Sequence, residues 1–124
     1  MHFDQRTQAA LRDAGLSTEE IRDVSAAVVE ATAEDARELE AFFADLDTVY
    51  SDMSMAHSTE EFPEHGLESV DLYTHGADLR GYVNFGEWGA YVEAGRILSD
   101  TVVELSLGEP VHDRVRFAAD REAL

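Results

Sequence analysis

The chain has 124 residues, with 27 Asp plus Glu against nine basic residues, no cysteine, and a formal net charge of −18 at pH 7. That length suits one domain with a core of its own, and the missing cysteine excludes disulfides, thiolate catalysis and thiolate metal sites. No run reaches the roughly 18 to 20 apolar residues that span a bilayer, and no basic segment leads into an apolar one at the N-terminus, so a cytoplasmic protein without a membrane partner is expected.

Residues 3–14 read as a first helix, with Phe3, Thr7, Ala10, Leu11 and Ala14 on one face and Gly15 as the stop. Ser17, Thr18, Glu19 and Glu20 form a capping box that opens a second helix, whose apolar stripe is Ile21, Val24, Val28 and Ala31. Thr32 and Asp35 look like another helix start, so a break is expected near residue 32. A third helix then runs to residue 50. Leu39, Phe42, Phe43, Leu46, Val49 and Tyr50 recur along it at helical spacing and form the stripe around which the core is organised. The alternative, one helix from 18 to 50, would be about 50 Å long.

Residues 51–68 lose periodicity, and Pro63 and Gly66 interrupt them, so a long loop is expected. Alternation then sets in. Val70, Leu72 and Thr74 alternate with Asp71, Tyr73 and His75; after a turn at 76–78, Leu79, Gly81, Val83 and Phe85 alternate with Arg80, Tyr82 and Asn84. Further strands are expected over 90–98, where Gly95 marks a bulge or close approach, over 101–107, and over 114–119, before a frayed tail. The fold class is therefore α+β over residues 1–124. About three N-terminal helices (1–50) pack on one face of a four- to five-stranded antiparallel sheet (69–119), as in helix-wrapped sheets of the cystatin or NTF2-like kind.

All nine basic residues are arginine, while 44% of the chain is hydrophobic and periodically placed, which argues against disorder. Carboxylates hold water and cations, whereas lysine stems would add apolar surface that concentrated salt makes adhesive. In this style the sequence resembles small uncharacterised haloarchaeal cytoplasmic proteins. The resemblance is to a proteome's composition and implies no activity.

His57 and His65 lie among Glu60, Glu61 and Glu64, a loose spacing that makes a metal site conceivable. Solvated loop residues are the stronger reading, and no cofactor is expected. His112 beside Asp113 lacks a placed nucleophile, and no serine stands in a G-x-S-x-G context. Gly81, Gly86 and Gly89 precede no helix start and read as sheet glycines. Carboxylates are so frequent that their pairing says nothing about acid–base catalysis.

The outer face of the sheet is more informative. With Leu72, Val83, Phe85, Val103 and Leu105 directed at the helices, the other parity shows Tyr73, His75, Arg80, Tyr82 and Asn84, joined by Trp88, Tyr91, Glu93, Glu104 and Arg116. Residues 1–66 carry 16 acids and 4 Arg, net −12, while residues 67–124 carry 11 acids and 5 Arg, net −6. Tyrosine, tryptophan and arginine are enriched where proteins meet partners. The leading expectation is a non-enzymatic binding or assembly module, a homodimer, acting through Tyr73, His75, Arg80, Tyr82, Asn84, Trp88 and Arg116. The alternative is a small enzyme or ligand-binding protein with a pocket between the sheet and the 51–68 loop, drawing on His57, His65, His75 and Tyr73. Nucleic-acid association through Arg80, Tyr82, Arg114 and Arg116 is the weakest of the three, since a charge of −18 repels phosphates.

Overall fold

The computed structural model describes residues 2–54 and 62–124. Helices α1 (Gln5–Asp13) and α2 (Thr18–Ala44) precede strands β1 (Thr48–Ser51), β2 (Glu64–Gly66), β3 (Ser69–His75), β4 (Asp78–Asn84), β5 (Gly89–Ile97), β6 (Val102–Leu107) and β7 (Asp113–Ala118). A short 3-10 turn, Arg121–Ala123, follows. The α+β class holds, with two helices among the described residues in place of three and seven antiparallel strands in place of four or five.

The caps follow the residues. Asp4 accepts the Thr7 amide at 2.7 Å to open α1. Ser17 and Glu20 form the reciprocal box that opens α2, at 3.1 and 3.0 Å. The expected break near Thr32 is absent. The Thr32 hydroxyl donates to the Val28 carbonyl one turn back, at 2.9 Å, and so is not available to cap a new helix. With no Gly or Pro to interrupt it, α2 runs 27 residues, a length of about 40 Å. It stops at Ala44, and Val49 and Tyr50 belong to β1 rather than to the helix. The tail likewise folds back, placing Arg121 4.7 Å from the Tyr50 ring centroid.

The sheet order is β2-β1-β7-β6-β5-β4-β3, which puts β2 and β3 at opposite edges. Laid flat, seven strands would separate those edges by about 29 Å. Yet Leu67 and Glu68 alone connect them, and three Cα steps reach at most about 11 Å. The sheet must therefore roll until its edges meet at this corner. Two backbone bonds fasten it: Leu67 N–H donates to Asp47 on one side at 2.8 Å, and Glu68 N–H to Asn84 on the other at 2.9 Å.

Helix α2 lies in the concave side, with Ile21, Ala36, Leu39 and Phe43 buried along it. Gly95 is where helix and sheet come closest: a Cβ there would sit 2.9 Å from Leu39 Cδ1 and 3.0 Å from Leu105 Cδ2. A register shift between Val92 and Ala94 switches the facing of β5 and brings Gly95 beneath the helix. Phe117 fills the floor, edge-on to Phe43 at 5.9 Å and stacked on Phe85 at 5.9 Å. The exposed edge of β3 is partly covered, because Glu40 on α2 accepts the Leu72 amide at 2.7 Å. No helix among the described residues is long and apolar enough to cross a membrane.

Candidate functional site

Strand register builds the convex face. Asp71 lies opposite Tyr82, Tyr82 opposite Tyr91, Tyr73 opposite Arg80, and His75 opposite Asp78. Alternation turns these side chains away from α2. Tyr73 is 63% exposed, Tyr91 61% and Tyr82 41%, a large aromatic surface left in water. The Tyr82 and Tyr91 rings meet edge to face at 5.5 Å, and Tyr82 lies across Gly89, where a Cβ would collide with its ring. Arg80 runs flat along the face. Its guanidinium donates to the carbonyls of Leu79 and of Glu93 at the bulge, where the ladder is irregular.

Of the expected site residues, Tyr73, His75, Arg80 and Tyr82 share this face, and Tyr91 completes it. Asn84 instead shapes a turn by accepting the Gly86 amide at 2.9 Å. Trp88 does not join the face but packs inward on Phe85 at 4.7 Å. Arg116 lies on the convex side in β7, in a row Arg96–Glu104–Arg116 across three strands. Glu104 takes Arg96 at 2.9 Å, and Asp52 lies 3.9 Å from Arg116. The arginines of that row therefore alternate with carboxylates and do not make the uninterrupted stripe that a phosphate backbone needs.

His65 occupies the opposite side of the sheet. It pairs with Val49 across β1 and β2 and is 6% exposed, among Phe85, Trp88 and Phe117. Its Nε2 lies 2.7 Å from the hydroxyl of Ser51, which also accepts the Met53 amide at 3.2 Å. Ser51 has no exposed surface, so this pair is not a nucleophile and base that a substrate could reach. Tyr73 and His75 face away from it, and the structure does not gather His65, His75 and Tyr73 into one pocket. His57 lies outside the described residues, and among those described no three His, Asp or Glu side chains converge as metal ligands. The Ser51–His65 pair was hidden in the sequence because 14 residues separate its members, with no period linking them.

The chain belongs to DUF7532, a family of unknown function whose model matches residues 1–122. No curated protein and no solved structure matches it.

In this DUF7532 chain, burial pushes the His65 pKa below its ordinary value of 6.5. The unfolded chain then binds a proton at a higher pH than the folded chain does. Stability contributed by the neutral ring is full above 6.5 and declines as pH falls toward the depressed value. The expected slope is at most about 1.4 kcal/mol per pH unit for this one proton. Denaturant titrations in molar KCl on either side of 6.5 measure it, and His65→Asn should flatten it. An unchanged slope in that variant would assign the acid sensitivity to other groups.

Proposed function

We propose that the chain is a non-enzymatic binding or assembly module of a salt-adapted cytoplasm, and that it works as a homodimer joined through the convex face of β3–β5. The observation behind this reading is the joint exposure of Tyr73, Tyr82 and Tyr91 on one three-stranded surface. Concentrated salt strengthens the burial of such apolar area, and tyrosine is a frequent energetic anchor of interfaces. Charge favours a second copy as the occupant. Two chains of net −18 repel least where their less acidic halves meet, and residues 67–124 carry net −6 against −12 for residues 1–66. On this face Arg80 and Asp71 also give each copy both signs of charge to set against its twin.

Sedimentation in molar KCl tests the reading. Tyr73→Ala and Tyr91→Ala should each weaken dimerisation by about tenfold or more, as truncation of an interface anchor does. Both variants should melt with the parent, since neither side chain is in the core. Trp88→Ala is expected to act differently, lowering stability through the core contacts of Trp88. Tyrosine variants that sediment as the parent does would remove the convex face as the site of association.

A further inference from the structure

At the corner where the rolled sheet's edges meet, a cavity of about 320 Å³ is lined by Glu64, His65, Gly66, Phe85, Glu87 and Trp88. Its chemistry follows from Ser51. That hydroxyl is fully buried and accepts the Met53 amide; its own proton also needs an acceptor, and Nε2 of His65, at 2.7 Å, is the one within reach among the described residues. With Nε2 accepting, the proton of the neutral ring sits on Nδ1. Nδ1 bonds to none of the described residues, and no buried side-chain nitrogen or oxygen among them lacks a partner. A buried imidazole therefore presents an N–H donor to the cavity.

We propose that this cavity binds a small organic cation that carries a hydrogen-bond acceptor. The donor on His65 asks for an acceptor atom. Glu64 and Glu87 add negative charge, and among the described residues no arginine lines the space, which disfavours an anion. The aromatic surfaces of Trp88 and Phe85 suit a weakly hydrated ammonium group. A bare metal ion fits less well, because no three His, Asp or Glu side chains converge among the described residues. The six lining residues all come from one copy of the chain, and none of them belongs to the convex-face tyrosine cluster.

Trp88 is the one tryptophan of the sequence, so its emission reports on the cavity directly. Choline, with a hydroxyl acceptor, and tetramethylammonium, without one, are titrated into the folded protein at constant molar KCl. Choline should give a saturable change in emission and bind about fivefold tighter than tetramethylammonium, the worth of one net hydrogen bond. The imidazole ¹⁵N resonances of His65 should shift with choline. Glu87→Gln, at an exposed position, should weaken both ligands while circular dichroism stays unchanged. An unsaturating response, equal affinity for the two cations, or a Glu87→Gln protein that binds as the parent does would each overturn the assignment.

Discussion

The melting temperature should climb steeply between dilute buffer and molar KCl, with partial unfolding at the dilute end. Two like charges ~10 Å apart in water repel by about 0.4 kcal/mol before screening. Helix α2 alone carries eight carboxylates and two arginines, a net of −6, on a surface that faces mostly solvent. Summed over a chain of net −18, such pairs can rival a folding free energy of ~5 to 15 kcal/mol. At 1 M salt the Debye length falls to ~3 Å, which removes most repulsion at that separation. The structure selects the residues for a test. Glu34 holds Arg37 at 2.6 Å and Glu40 holds the Leu72 amide, so removing either would mix repulsion with a lost contact. Asp23, Asp35 and Glu38 are exposed and make no ion pair among the described residues. Converting these three to Asn and Gln should flatten the salt dependence of thermal unfolding. A midpoint that stays put from dilute buffer to molar KCl would contradict the salt-adapted reading.

Phe43→Ala should cost about 3 to 5 kcal/mol, the range for deleting a buried aromatic ring. Phe43 is 3% exposed and touches Phe117 edge-on, so the cavity left behind lies where helix and sheet join. Leu39→Ala should cost about 2 to 5 kcal/mol, because Leu39 has no exposed surface and packs at Gly95. Phe42 is only half-buried and should lose less. Denaturant unfolding in molar KCl measures all three. Equal midpoints for Phe43→Ala and the parent would show that α2 does not seat in the concave side of the sheet.

Much of this architecture was legible because it rests on local chemistry. The Ser17–Glu20 box, the stop at Gly15 and the alternation across β3 and β4 each follow from residues close in sequence. The rest depends on contacts that local pattern does not encode. Thr32 suits both a cap and a helix interior, and only its bond to Val28 decides between them. Val49 and Tyr50 continue the helical stripe of Leu39 and Leu46, yet they are also two strand formers in a row. Pairing with β2 and β7 settles them as β1. Strand β2 has three residues beside Pro63, too few for a period to show.

The candidate surface divides in the same way. Parity along β3 and β4 was enough to group Tyr73, Arg80 and Tyr82. Trp88 follows a turn at Gly86, where parity no longer holds, and its inward packing depends on Phe85 and His65. His65 reads as a loop residue in sequence. Its burial depends on the rolled sheet, which sets β2 against the end of β4.

The proposal that two copies pair through the convex face is tested most directly by hydroxyl-radical footprinting of the tyrosines along a dilution series in molar KCl. Tyr73, Tyr82 and Tyr91 should be protected together at high protein concentration and gain reactivity together on dilution. Tyr50, covered within one chain by Arg121, should keep the same reactivity throughout. Tyr73 and Tyr91 reacting at one constant rate across the whole series, at concentrations where the chain is folded, would contradict it.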